Sequence, residues 1–310
     1  MSFPPIRIAV LIPCYNEAAA IGAVVGDFRR ALPMAAIFVY DNNSSDATVA
    51  TAREAGAEVR SERHQGKGHV VRRMFADIDA DIYILVDGDA TYDAASAPTM
   101  IAKLCDERLD MVVAHRVDQA TEAYRPGHRT GNMLLTSFLT SVFGRGFEDI
   151  LSGYRIFSRR FVKSFPVLSD GFEIETEISV HALELSMPVA EVKTPYFARP
   201  EGSFSKLNTW RDGFRILGTI LKLYRSEKPL RFFTTIALTL ALMSIILAVP
   251  IVITFLQESL VPRLPTAVLA VGIMLVAVMS LFAGLVLDTV SRGRREAKLL
   301  RYLAEPWLSA

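Results

Sequence analysis

The 310-residue chain balances 34 Lys and Arg against 33 Asp and Glu, a net charge of +1 that gives no electrostatic footprint for nucleic acid. Two cysteines, Cys14 and Cys105, make neither a disulfide framework nor a metal site and fit a reducing compartment. The length allows one large domain or two smaller ones, and the hydrophobic residues, 51% in all, are in excess at the C-terminal end.

Ile6 to Ile12 reads as an apolar strand ending at Pro13-Cys14-Tyr15-Asn16-Glu17. Ala18 to Leu32 is a helix with Ile21, Val24, Val25, Phe28 and Leu32 on one face. A second strand, Ile37 to Tyr40, ends at Asp41-Asn42-Asn43-Ser44-Ser45-Asp46; Ser45 is the expected N-cap of a helix over Ala47–Ala55, and Asp46 favours its first turn. Ala57 to Arg60 is a short third strand, and His64-Gln65-Gly66-Lys67-Gly68 opens a helix that runs to Asp77. A fourth apolar run, Ile82 to Val86, stops at Asp87-Gly88-Asp89. The βαβαβαβ order predicts an α/β domain with a mostly parallel sheet covered on both faces.

Ligands of such sheets bind beyond the carboxyl ends of the strands. Polar pairs mark three of those ends, Tyr15/Glu17, Asp41/Asp46 and Asp87/Asp89, and no Gly-x-Gly-x-x-Gly follows the first strand. Two carboxylates around Gly88 suit a hard cation, Mg²⁺ or Mn²⁺, held with the help of substrate phosphates.

Met111 to Ala114 is a further strand, followed by His115-Arg116 and a polar loop that carries Arg125, His128 and Arg129. Asn132 to Phe143 reads as a strongly apolar helix, Gly171 to Leu185 as a helix with Glu173, Glu175, Glu177 and Glu184, and Val189 to Val192 as a strand. Leu207 to Arg225 is an amphipathic helix suited to a bilayer interface.

Phe232 to Gln257 and Thr266 to Leu287 contain no Asp, Glu, Lys or Arg. About 22 residues at ~1.5 Å each cross a ~30 Å hydrocarbon layer, so both read as membrane helices. Arg225, Lys228 and Arg231 precede the first, and Arg292, Arg294, Arg295, Lys298 and Arg301 follow the second, which places both chain ends in the cytoplasm. Met-Ser-Phe-Pro-Pro at the start is no signal sequence. The expected layout is a cytosolic domain over 1–206, an amphipathic helix over 207–229, a transmembrane hairpin over 230–290 and a basic cytosolic tail over 291–310.

The N-terminal half resembles the family 2 glycosyltransferases of the GT-A fold, a Rossmann-like nucleotide-sugar-binding domain. The residues that carry the likeness are Val10-Leu11-Ile12-Pro13-Cys14-Tyr15-Asn16-Glu17, Asp41-Asn42-Asn43-Ser44-Ser45-Asp46-Ala47-Thr48 and Asp87-Gly88-Asp89. Asp149-Ile150-Leu151-Ser152-Gly153-Tyr154-Arg155 and Arg199-Pro200-Glu201-Gly202-Ser203-Phe204-Ser205-Lys206 are similar to motifs of the polyprenyl-phosphate glycosyltransferases, the dolichyl-phosphate mannose and glucose synthase group. The mannose synthases usually read Asp-Ala-Asp-Leu-Gln, whose Gln helps hold the metal; Thr91 stands at that place here, with Asp93 as a substitute ligand.

The resemblance implies an inverting, metal-dependent transfer of one sugar from a nucleotide diphosphate sugar to a polyprenyl phosphate (undecaprenyl or dolichyl) at the cytoplasmic face of the inner or plasma membrane. Pro13, Tyr15, Glu17, Asp41, Asn43, Asp46 and Lys67 are assigned to the nucleotide sugar together with Asp87, Gly88 and Asp89; Asp87, Asp89 and Thr91 are assigned to the metal. Arg116 and Arg129 join Asp87 and Asp89 as catalytic residues, and Arg116, Arg129, Ser152, Arg155, Arg199, Ser205 and Lys206 hold phosphates and acceptor. At ~4 Å and an effective dielectric near ~20, one like-charge pair costs about 4 kcal/mol, which fixed guanidinium groups offset. A phosphate acceptor is already an anion and needs no base, so Glu175 is assigned no catalytic role and either orients substrate or faces solvent. The Asp-Asn-Asn and Thr91 variants favour a uridine nucleotide carrying glucose or N-acetylglucosamine over GDP-mannose, and self-association would thicken a two-helix anchor. A processive polysaccharide synthase is disfavoured by the missing Gln-x-x-Arg-Trp motif, and a non-catalytic membrane scaffold by the intact acidic and basic motifs.

Overall fold

The computed structural model describes residues 6–118, 147–171, 173–200, 209–261 and 263–307. The chain forms two compact units, residues 1–220 with 297–310, and residues 221–296.

The first unit is built on a seven-stranded sheet: β1 Ile8–Cys14, β2 Ala36–Asp41, β3 Glu58–Ser61, β4 Ile82–Leu85, β5 Met111–Asp118, β6 Arg155–Ser158 and β7 Val189–Tyr196. Their order is β3-β2-β1-β4-β6-β5-β7. Strands β1 to β4 pair in parallel, with Val10 opposite Ile37 on one side and Ile84 on the other. The sequence periodicity misses β6, which lies antiparallel to both β4 and β5, and so makes the sheet mixed. Strand β7 then pairs in parallel with β5 at the far edge. Both β5 and β7 run four residues past the apolar stretches that announce them, carrying His115, Arg116 and Tyr196 beyond the core.

Helices α1 Ile21–Ala31, α2 Thr48–Glu54, α3 Lys67–Asp77, α4 Ala97–Asp106, α5 Arg159–Ser164 and α6 Ile174–Glu184 accompany the strands. Ile21, Val24, Val25 and Phe28 of α1 are buried, as the 3.6-residue period requires, against a core that includes Val10, Ile12, Ile84 and Ile156. At the start of α2 the N-cap is Ala47 rather than Ser45, and Asp46 just before it accepts from Thr48 N at 3.0 Å and from the Thr48 hydroxyl. The chain end returns to this unit. Tyr302 Oη donates to Asp110 at 2.7 Å, Lys298 meets Glu184 at 2.7 Å, and Trp307 Nε1 donates to the Leu109 carbonyl at 2.9 Å.

Helix α7 spans Thr209–Glu227. The second unit is dominated by α8 Pro229–Glu258 and the apolar part of α9 Leu264–Ala304. Both are long enough to cross a bilayer, and only 11% and 17% of their most apolar 18-residue windows are buried. Their shared face uses small residues at seven-residue intervals, Ala270, Ala277, Gly284 and Ser291, so the two backbones approach closely. Ser244 Oγ seals the contact by donating to the Ala270 carbonyl at 2.7 Å.

Candidate active site

The carboxyl ends of β1, β2 and β4 lie side by side, and their loops are tied by side-chain bonds to backbone. After β1, the Asn16 side-chain Oδ1 accepts from Ser45 N at 2.7 Å, and Asn16 N donates to Ser44 Oγ at 2.8 Å. Glu17 N donates to Thr48 Oγ1 at 2.8 Å. After β2, the Asp41 carboxylate accepts from Ser44 N at 3.2 Å. Burial works to raise the Asp46 pKa, but its bonds from Thr48 and Ala18 outweigh that and leave it below the ordinary value. Asn43 sits in the left-handed region at φ 65° and bonds the Arg63 carbonyl at 2.9 Å. Pro13 is half-buried inside β1, and Tyr15 beyond it is exposed. These residues line one edge of the sheet.

Sequence reasoning passed over Asn42. Its amide donates to the Glu62 and His64 carbonyls at 2.9 and 2.8 Å, and its oxygen accepts from Gly66 N at 2.7 Å. It thereby fixes the loop that starts α3. Its signal was available as an Asn at a strand end, a residue type that bonds backbone locally.

Helix α3 delivers Lys67. Its ammonium lies 2.5 Å from Oδ1 of the half-buried Asp87 and 2.5 Å from Oε1 of the buried Glu175. Burial alone would lower the lysine's pKa, but Asp87 and Glu175 outweigh it and hold it above the usual value; burial raises that of Glu175 in turn. Glu175 therefore neither faces solvent nor stands ready as a base. Gly153 completes the wall: a Cβ there would meet Asp87 Oδ2 at 2.3 Å. Gly88 is required by packing, since a Cβ would lie 2.6 Å from Cys14 Sγ.

Asp89 follows on a strained turn in which Ala90 has φ 58°. Thr91, assigned to the metal, is 2% exposed and turns its hydroxyl onto Asp89 Oδ1 at 2.6 Å. It supports the carboxylate. Asp93 caps the next turn, accepting from Ala95 N at 3.2 Å and Ser96 Oγ at 2.6 Å, which occupies both oxygens. The other oxygen of Asp89 is 2.6 Å from Arg199 Nη2. Asp87 and Asp89 are hard oxygen donors at one sheet end, each already facing a cation, so the donor set fits Mg²⁺ or Mn²⁺.

The β5–β7 side brings its own charges. Arg116 grips Asp149 with two bonds of 2.7 and 2.8 Å, and its guanidinium lies 5.4 Å from the centre of the Tyr196 ring. Tyr196 forms a bridge with Tyr92, whose hydroxyl accepts from Gly153 N at 2.8 Å. Asp149 opens a motif that the sequence shows, but its pairing with Arg116, and the place of Tyr196 beside that guanidinium, join residues far apart in sequence and are visible only in the fold.

Arg155, assigned to phosphate binding, is 0% exposed. Its guanidinium donates to the Ser152 and Ile150 carbonyls at 3.0 and 2.6 Å and to Ser179 Oγ at 2.9 Å, and burial pushes its pKa down to about 10. A phosphate has no path to it, and the assignment is corrected: Arg155 ties the 150–152 turn to α6. Ser152 is likewise fully buried, with its hydroxyl near Tyr154 N. Arg129, Ser205 and Lys206, with the expected helix over 132–143, lie outside the described residues.

With this geometry in place, comparison with known proteins is informative. The Glycosyl transferase family 2 profile matches residues 9–165. The chain is similar to Glycosyltransferase AglJ of Haloferax volcanii, 33% identical over 294 residues, 94% of this chain and 96% of that protein. It is also similar to a Dolichyl-phosphate hexose transferase of Haloferax volcanii, 26% identical over 221 residues, 71% of this chain and 95% of the relative. Glucosyl-3-phosphoglycerate synthase from Mycobacterium tuberculosis, solved with Mn²⁺ and uridine-diphosphate-glucose, shares the fold at a TM-score of 0.57 and 22% identity, covering 71% of this chain and 79% of that one.

Proposed function

The chain belongs to glycosyl transferase family 2, and from that premise we propose that it moves one hexose from a nucleotide diphosphate sugar to a polyprenyl phosphate at the cytoplasmic face of a membrane. The observation that carries the reading is one sheet end holding two carboxylates, Asp87 and Asp89, beside two arginines, Arg116 and Arg199. Carboxylates and arginines together suit a reaction between two phosphate-bearing partners. The Dolichyl-phosphate hexose transferase relative supports the acceptor class, and the fold neighbour with uridine-diphosphate-glucose supports a uridine donor over GDP-mannose.

The loops after β1 and β2, with Tyr15, Asp41 and Asn43, take the nucleoside. Asp87 and Asp89 would hold a divalent cation, Mg²⁺ or Mn²⁺, which when bound would stabilise charge on the leaving diphosphate. Arg116 and Arg199 hold and orient phosphate oxygens. The acceptor phosphate oxygen attacks the anomeric carbon, the bond from that carbon to the diphosphate breaks, and configuration inverts. No proton is moved, in keeping with a Glu175 committed to Lys67. Positioning of two anions supplies much of the rate.

Helices α8 and α9 are the anchor. The basic residues before α8 and after the apolar part of α9 support a cytoplasmic position for both ends of the hairpin. Incubation of membranes carrying the protein with labelled nucleotide sugars and polyprenyl phosphate tests the reading. Label enters a mild-acid-labile lipid, and Asp89→Ala lowers that transfer by about 10³-fold or more while the protein stays folded. Label appearing only in polymer, or full transfer by Asp89→Ala, would sink it.

A further inference from the structure

Asp87 and Asp89 both face a cation of this chain, but the two pairs differ in kind. Lys67 is locked: its side chain is 7% exposed, it starts α3, and it is shared with Glu175. Arg199 is 28% exposed and stands three residues past the end of β7, outside any helix or strand. On Asp89 the two oxygens are also unequal. Oδ1 takes the Thr91 hydroxyl, and Thr91 is fixed by burial and by its carbonyl, which accepts from Phe197 N at 2.9 Å. Oδ2 takes Arg199 at 2.6 Å. A divalent cation that ligates Oδ2 is repelled by the guanidinium on the same oxygen, and of the two contacts the partly exposed Arg199 is the one with room to leave.

We propose that Arg199 is an exchangeable counter-ion of Asp89, so that a divalent cation and a phosphate are taken up together. The inference builds on the metal assignment of Asp87 and Asp89. A cation arriving at Oδ2 displaces the guanidinium, and the displaced guanidinium is then available to a phosphate. A phosphate drawing Arg199 away equally uncovers Oδ2 for the cation. The two ligands thereby bind with positive coupling, which by linkage is the same read from either side. The arrangement also keeps a buried carboxylate neutralised at every stage, which matters because an unpaired charge there is expensive. Arg199 thus couples the two halves of the site by trading partners, and its place in sequence, on the stretch leading from β7, lets it do so without moving the sheet.

The test is Mn²⁺ binding to the full-length protein in detergent, read by the electron paramagnetic resonance signal of free Mn²⁺, with no nucleotide present. Arg199→Ala removes the competitor and tightens Mn²⁺ by about tenfold, whereas Arg199→Lys, which keeps the charge, stays within about threefold of wild type. A short-chain prenyl monophosphate, a weak chelator in itself, tightens Mn²⁺ on the wild type by about fivefold and leaves Arg199→Ala unchanged. Melting curves matched to the wild type show that both variants are folded. If Asp89→Asn loses Mn²⁺ while Arg199→Ala gains nothing, the metal assignment stands and the exchange is overturned. If the wild type and Asp89→Asn hold Mn²⁺ equally, the metal assignment falls and the exchange falls with it.

Discussion

Strands β1 to β4 and strands β5 to β7 both present charged groups at one edge of one sheet, but they hold them differently. On the β1–β4 side, Asn16, Asp41, Asn42 and Asp46 bond to backbone amides and carbonyls of neighbouring loops, forming a cage whose members are within about thirty residues of each other. On the β5–β7 side, charge is held by charge: Arg116 by Asp149 and Arg199 by Asp89. A backbone cage is rigid and suits recognition of a fixed shape such as a nucleoside. An ion pair can be exchanged for another ion, which suits a surface that must receive phosphates.

Lys67 is the seam, because it joins Asp87 on β4's end to Glu175 on α6. Breaking it tests the contrast most severely. Lys67→Met leaves the buried Glu175 without its cation beside the half-buried Asp87 and should destabilise the protein by about 3–5 kcal/mol, read as a fall in melting temperature. The double variant Lys67→Met with Glu175→Gln should recover part of that loss, because only one carboxylate is then left without its partner. A single variant as stable as the wild type would show that the triad contributes no more than a surface pair.

Crowding the seam is the second test. In Gly153→Ala the new methyl lies 2.3 Å from Asp87 Oδ2, so the carboxylate must move. Transfer should fall by about 10–100-fold with a stability loss of about 1–3 kcal/mol. Full activity would mean that the placement of Asp87 matters less than its charge.

The sequence is a good guide to the β1–β4 side for the same physical reason that this side is rigid. Its determinants are local: apolar runs of strand length, a turn residue after each, and polar side chains that bond within their own loop. The carboxylates at Asp87 and Asp89 and the apolar runs of α8 and α9 are legible on those grounds. The β5–β7 side defeats local reading. Strand β6 is four residues long and opens with a fully buried arginine, so no alternation announces it. Arg155 reads as a phosphate ligand because a guanidinium is usually exposed; only the fold shows three acceptors closing round it. Glu175 finds Lys67 at a separation of 108 residues, which no motif encodes.

The β5–β7 side also carries a pH dependence of its own. His181 on α6 is buried among Phe161 and Phe165, and burial, with help from Lys298, holds its pKa down to about 3 from 6.5. The folded protein therefore binds fewer protons than the unfolded chain between those values. Stability is fully present above about pH 6.5 and declines as the pH falls toward 3, by about 1.4 kcal/mol per unit. His181→Leu should flatten this acid limb in melting curves taken between pH 7 and pH 4. An unchanged slope would assign the acid sensitivity to carboxylates.

The smallest expected effect lies where the chain end meets Asp110. That carboxylate is fully buried before β5 and accepts from Ser158 Oγ at 2.7 Å, from Arg160 at 2.5 and 3.0 Å, and from Tyr302 Oη at 2.7 Å. Tyr302→Phe removes one donor of several and keeps the ring, over which the Arg160 guanidinium lies at 4.7 Å. The loss is that of a single hydrogen bond to a group still well bonded, about 1 kcal/mol, or about 2–4 °C in melting temperature for a unit of this size. Transfer should be unaffected, because β5 carries Arg116 at its opposite end. If Tyr302→Phe instead reduced transfer, the charge pairs of this side would act as one connected network, and the contrast with the locally caged side would extend from how charge is held to how far a change in it is felt.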